Sequence, residues 1–193
     1  MDKIKRTIDI LCSATGLILL SPVYAVIIAA IKIGSRGPVI YRQERIGLHG
    51  KPFSIDQFRT MVVNTEEDGI PQLAETNDSR LTKIGKILRE HHLDELPQLW
   101  NVLTGDMSLV GHRPERKYFI DKIMERRPDY AELYAIRPGI TSMATIYNGY
   151  TNTIEKMIRR LDMDLEYLHG RSTMLDLKIL AKTAVKVFAG KKI

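Results

Sequence analysis

The sequence predicts an α+β fold: a small, mostly helical domain with a few short strands, anchored by an N-terminal re-entrant membrane helix-break-helix and by amphipathic interfacial helices. Three observations predict it. From Ile10 to Ile31 run 22 consecutive uncharged residues, interrupted by Ser21-Pro22. Apolar residues recur at helical spacing in residues 80–103, after Pro114 and in residues 174–189. Residues 38–62 read instead as short strands around Gly47 and Gly50.

The uncharged run comes first. At about 1.5 Å per residue a helix of this length covers roughly 30 Å, the thickness of a bilayer core. Proline removes a backbone donor and clashes with the preceding turn, so a kink is expected at Ser21-Pro22. Both flanks are basic, with Lys3, Lys5 and Arg6 before the run and Lys32 and Arg36 after it. Basic residues favour the cytoplasmic side, so two basic flanks suit a helix that enters, bends and returns. Residues 6–33 are therefore read as a re-entrant hairpin. A straight anchor with a tolerated proline, a core helix and a cleaved signal peptide are the competing readings.

The remaining elements follow in order. Val39, Ile40 and Tyr41 mark a first strand, and Phe53, Ile55 and Phe58 a second. Residues 64–79 are polar and partly acidic, a loop. Leu81, Ile84 and Leu88, then Leu96, Leu99, Trp100 and Leu103, fall at helical spacing, with Pro97 in the first turn of a new helix begun near Leu93-Asp94. Tyr118, Phe119, Ile123 and Met124 share a face of the helix after Pro114. Near the C-terminus Lys178, Lys182 and Lys186 form one stripe over an apolar body, as an interfacial membrane helix requires. A terminal helix packed on its own domain fits the same spacing. The domain division is thus 1–36, the membrane hairpin, and 37–193, a cytoplasmic domain ending in the interfacial helix.

Composition narrows the function classes. With 193 residues, 44% hydrophobic and 27% charged, the chain can bury a core and is not disordered. Cys12 alone permits no internal disulfide. The net charge of +6 calls for an anionic partner, nucleic acid or a membrane face. No basic–aromatic cluster supports nucleic acid, and the lysines fall near the expected membrane contacts. The signatures GxGxxG, GxxxxGK[ST], HExxH and GxSxG are absent.

The informative block is REHHLDELPQLWNVLTGDMSLVGHRPER at 89–116. Adjacent carboxylates point in different directions on a helix, so Asp94 and Glu95 can divide labour: one nucleophile or metal ligand, one base. With Arg89 and Arg113 nearby in sequence, the pair suits a metal-bound diphosphate. On residues alone a solvated helix start fits the Asp-Glu pair as well. His91 and His92 precede it without a paired ligand spacing, so no transition-metal site is expected.

The chain resembles the bacterial sugar transferases, the monotopic phosphoglycosyl transferases, along nearly its whole length. The resemblance is carried by the Ser21-Pro22 break, GPVIYRQERIG at 37–47, PFSIDQFRTM at 52–61, DSRLTKIGKILR at 78–89, DELPQLWNVLTGDMSLVGHRPER at 94–116, RPGIT at 137–141 and LDLKIL at 175–180. It implies transfer of a phosphosugar from a UDP-sugar to polyprenyl (undecaprenyl) phosphate, releasing UMP, at the cytoplasmic face of the bacterial inner membrane. That step begins capsule, exopolysaccharide, O-antigen or glycoprotein assembly. By the resemblance Asp94 is the nucleophile, forms a covalent phosphosugar and helps bind Mg²⁺, while Glu95 helps activate the polyprenyl phosphate. Arg89, Arg113 and Arg137 face phosphate, with Arg59 and Arg80 as secondary candidates, and Ser21 and Pro22 form the membrane helix break. The chain is expected to be the bare catalytic unit of larger relatives. An inactive scaffold of the same fold is the rival reading, and homodimer formation is left open.

Departures from the pattern are Gln57, where the family often has Lys, His112, where it has proline, and SMATIYNGYTN at 142–152. The first removes a cationic contact, the second is expected to loosen its turn, and the third bears on sugar or nucleotide preference.

Overall fold

The computed structural model describes residues 2–62, 78–148 and 153–188. Much of the polar loop expected at 64–79 lies outside them. Helix α1 (Asp2–Leu19) and helix α2 (Ser21–Gly34) meet at a 60° bend. Leu20 leaves the helical region at φ −87° and ψ 0°, and Pro22 falls in the first turn of α2, where its missing donor costs nothing. Among the described residues no single helix is long and apolar enough to cross a membrane, but the bent pair reaches that length and composition together.

The bend does not fold the two helices back antiparallel. Their outer ends nevertheless return to one body. Lys5 pairs with Asp176 at 2.8 Å, Arg6 donates to the Leu103 carbonyl at 2.9 Å, and buried Asp9 accepts from the Ser108 hydroxyl at 2.8 Å and the Leu109 amide at 3.0 Å. At the other end, Arg59 donates to the Ser35 and Arg36 carbonyls at 2.9 and 2.8 Å. Two of the basic flank residues are thus engaged by protein. The bend itself projects outward, with Ile18 and Leu19 exposed by 73% and 71%.

The two expected strands are β1 (Ile40–Ile46) and β2 (Pro52–Phe58), which pair antiparallel, from Ile40 opposite Phe58 to Ile46 opposite Pro52. The predicted helical stretch 80–103 is broken into α3 (Lys83–Glu90), a 3₁₀ turn (Leu93–Glu95) and α4 (Gln98–Thr104), because His92 adopts a left-handed conformation at φ 54°. Asn101 docks α4 on β2: its side-chain amide donates to the Ser54 carbonyl, and its oxygen accepts from the Asp56 amide. Strands β3 (Ser108–Val110) and β4 (Gly139–Thr141) form a parallel pair. A Cβ on Gly139 would lie 2.1 Å from the Gly111 amide nitrogen, so this crossing of two backbones excludes any side chain there.

Helix α5 (Lys117–Met124) turns Phe119, Ile120 and Ile123 inward, leaving Tyr118 exposed, so its buried face is rotated from the expected one. They pack against Met157, Leu161 and Leu165 of α7 (Ile154–Gly170). Helix α6 (Met143–Tyr147) precedes α7, and α8 (Thr173–Phe188) closes the chain. Of the lysine stripe on α8, Lys182 reaches the Tyr147 hydroxyl and Lys186 the Ile146 carbonyl, both on its own domain. Among the described residues, the large apolar side chains that α8 exposes are Met174, Leu177 and Val185.

Candidate active site

Helix α3 begins at Thr82, whose hydroxyl accepts the Gly85 amide at 2.9 Å while its own amide donates to the Thr60 carbonyl. A Cβ on Gly85 would sit 1.9 Å from that carbonyl, so only glycine lets α3 lie this close to Thr60. One turn later Arg89 comes over the same residue, and its Nε donates to the Thr60 hydroxyl at 3.0 Å. Thr60 therefore aims Arg89.

The 3₁₀ turn that follows carries both carboxylates. Asp94 is buried, with 8% exposure. Burial, reinforced by the neighbouring Glu95 charge, pushes its carboxyl up to about 7 against the pull of Arg89 and Arg113. Glu95 differs. Burial works to raise it, but the Arg113 guanidinium, which donates to Oε1 at 2.8 Å, holds it below the ordinary carboxylate range. Two adjacent carboxyls thus sit in opposite electrostatic states, the pattern in which acid–base roles separate. Arg113 keeps 39% of its side chain open to solvent.

Behind Arg113 lies a buried ionic group that the sequence reading missed. Glu115 accepts from Arg45 at 3.0 Å and from Arg160 at 2.6 Å, and Arg160 approaches Asp164 at 3.9 Å. The Ile46 amide also donates to the Glu115 carbonyl, so the loop bearing Arg113 is held from β1 and α7 together. One signal was available: Arg160 and Asp164 precede core residues Leu161 and Leu165 at the same i, i+4 spacing. His112 is buried and kept neutral, driven down to about 3 by burial and then by Arg160. Its carbonyl accepts the Gly139 amide at 2.8 Å, which ties the turn to β4.

Burial pushes Asp164 up to about 7, because Arg160 at 3.9 Å and the Ser142 hydroxyl compensate it incompletely. The folded state then holds a proton that the unfolded chain releases near 3.8, so this carboxyl's contribution to stability, like that of Asp94, falls as pH rises from about 4 through 7. Chemical denaturation at a series of pH values should show this decline in the wild type and a flatter profile in Asp164→Asn. Equal slopes would remove Asp164 as its source.

The structure brings Arg89, Asp94, Glu95 and Arg113 together and leaves other candidates apart. Arg59 is buried, with its guanidinium on the Ser35 and Arg36 carbonyls at the end of α2, a helix clamp by geometry. Arg137 donates from Nε to the Gly105 carbonyl at 2.7 Å, at the end of α4 opposite the dyad. Arg80 chelates Asp78 through Nε and Nη2. Ser21 and Pro22 sit at the exposed bend. Gln57 is half-buried on β2 opposite Tyr41. Ser142 caps α6, while residues 149–152 of the divergent segment lie outside the described residues. Among the described residues no three His, Cys, Asp or Glu side chains gather as a metal cage.

A family model described as bacterial sugar transferase matches residues 1–190. A UDP-glucose:undecaprenyl-phosphate glucose-1-phosphate transferase of Klebsiella pneumoniae is 46% identical over 97% of this chain and 40% of its own length. A UDP-N-acetylgalactosamine-undecaprenyl-phosphate N-acetylgalactosaminephosphotransferase of Aeromonas hydrophila is 38% identical over 97% of this chain and 44% of its own. The Bacillus subtilis sugar transferase EpsL, uncharacterized, is 38% identical over 96% and 85% respectively. The chain thus spans about two fifths of the length of the first two.

Proposed function

The chain belongs to the bacterial sugar transferase family, and from that premise we propose that it transfers a phosphosugar from a UDP-sugar to undecaprenyl phosphate, releasing UMP. The observation that carries this reading is the dyad turn: a buried Asp94 and an ionised Glu95 between Arg89 and Arg113. The named activities of the relatives support the substrate classes.

The mechanism uses these groups in sequence. Arg89 and the open side of Arg113 bind the diphosphate and neutralise its charge, which is most of what phosphoryl transfer asks of a protein. An Asp94 oxygen attacks the sugar-bearing phosphorus, the bond to the UMP oxygen breaks, and its electron pair leaves with UMP. Glu95, held ionised by Arg113, then activates the undecaprenyl phosphate by accepting its remaining proton. An oxygen of that phosphate attacks the same phosphorus, and the Asp94 carboxylate leaves. With Glu95 taken up by Arg113, Asp94 beside a diphosphate site fits one protein ligand to Mg²⁺, the rest coming from phosphate oxygens and water. Bound there by Asp94, the ion would supply further charge neutralisation.

We further propose that the bent pair α1–α2 holds this site at the cytoplasmic face of the bacterial inner membrane, with the apolar bend in the lipid. Two facts support that placement: the bend is apolar and exposed, and both outer ends are bonded to one body, which a membrane cannot divide. In a Cys12→Ser background, Lys3→Cys and Arg36→Cys should label from the same side of oriented vesicles. Labelling from opposite sides would defeat the re-entrant topology.

The test of function is UMP release with undecaprenyl phosphate and Mg²⁺ from a panel including UDP-glucose and UDP-N-acetylgalactosamine. Release from at least one sugar, lost in excess chelator and restored by Mg²⁺, is expected. No release from any would overturn the reading, and undiminished release in chelator would remove the metal.

A further inference from the structure

The turn that carries the dyad is weak by itself. It has three residues, it is entered through a left-handed His92, and its amide bonds are long: Glu95 to the His92 carbonyl at 3.4 Å and Leu96 to the Leu93 carbonyl at 3.3 Å. Such a turn needs support from outside. Helix α2 provides it. The Tyr24 hydroxyl donates to the Leu96 carbonyl at 2.6 Å, immediately after Glu95, and its ring lies edge-on to Phe58 at 5.4 Å. Ile27 and Ile31 continue the same face at i+3 and i+7. They are buried in one cluster with Leu88, which precedes Arg89, and with Leu93 and Leu96, which bracket the carboxylates. The opposite face of α2 exposes Val26 and Ile33.

We propose that Tyr24 is a positioning residue: through its bond to the Leu96 carbonyl, the helix read as lying in the lipid sets the geometry of the Asp94-Glu95 turn. The Leu96 carbonyl also accepts the Leu99 amide at 3.0 Å, so one oxygen joins α2, the dyad turn and the start of α4. The catalytic part of this inference rests on the transferase reading above; the hold on the turn does not.

Tyr24→Phe keeps the ring and removes only the hydroxyl. In the full chain in lipid nanodiscs it should lower kcat for UMP release about fivefold, with KM for the UDP-sugar unchanged, as loss of one neutral hydrogen bond that aligns reacting groups predicts. Hydrogen exchange should quicken in peptides covering 91–99 and stay unchanged in 154–170. Unchanged exchange at 91–99, unchanged kcat, or a rise in exchange throughout the chain would each overturn the proposal. If the wild type releases no UMP, the transferase reading fails. Exchange then decides alone, a faster rate at 91–99 supporting the hold of Tyr24 on the turn and an equal rate overturning it.

Discussion

Replacing Asp94 by asparagine is expected to lower UMP release about thousandfold or more, roughly 4 kcal/mol of barrier, with no phosphosugar adduct on the protein. Several losses combine in this one change. An amide is no nucleophile toward phosphorus, and its neutral oxygen is a poor ligand for Mg²⁺. The fold should survive. Asp94 is buried against its electrostatic preference, its carboxyl raised to about 7 chiefly by desolvation, so a neutral isostere relieves strain that the wild type carries at neutral pH. Melting temperature equal to or above that of the wild type, together with lost activity, is the expected pair of results. A variant that melts far earlier would mean the carboxylate holds the turn rather than acting in it.

The residues that were legible in the sequence share a local signature. Ser21-Pro22 breaks an apolar helix through proline's own stereochemistry, and strand periodicity around Gly47 and Gly50 is a property of neighbours. The dyad was named through the family resemblance, since on residues alone two carboxylates and two arginines in one block fit a solvated helix start as well. Its backbone was not legible. Periodicity continues across 80–103, and nothing in His92 announces a left-handed residue that turns a helix start into a 3₁₀ turn.

What stayed hidden depends on tertiary partners. Strands β3 and β4 have three residues each and pair across 31 positions of chain, from Ser108 to Gly139, too short for any pattern. Helix α7 escaped because its inward face mixes Met157 and Leu161 with buried Arg160 and Asp164, so the apolar stripe is interrupted by the very residues that brace the Arg113 loop. Arg59 illustrates the converse. Arginine in a motif beside a phosphate site invites a substrate role, yet its fork also fits the unpaired carbonyls at the end of a helix, and here it meets those of Ser35 and Arg36. The lysine stripe of α8 is regular in sequence, but packing against α6 turns Lys182 and Lys186 toward protein.

Glu95→Gln should separate the two half-reactions, and the geometry gives the reason. Glu95 is held ionised by Arg113 at 2.8 Å while Asp94, its neighbour, is the carboxylate left without a close ion pair among the described residues. An ion-paired carboxylate is the poorer nucleophile, so Glu95 is placed to take a proton from the second acceptor rather than to make the first attack. In Glu95→Gln the first half-reaction should proceed without undecaprenyl phosphate, releasing UMP in an amount approaching one per enzyme. Steady-state turnover should fall about hundredfold, the scale of a lost general acid–base group. Intact-mass measurement should then show the chain heavier by one phosphosugar, and Asp94→Asn should show neither burst nor adduct. The neutral amide in Glu95→Gln would also release Arg113 from its charge partner, so affinity for the anionic donor should rise rather than fall, a lower KM alongside the lower kcat. If UMP appears only when both substrates are present and no adduct is trapped, the reaction is a direct displacement. Asp94 would then act as a metal ligand, and Glu95 as the general base.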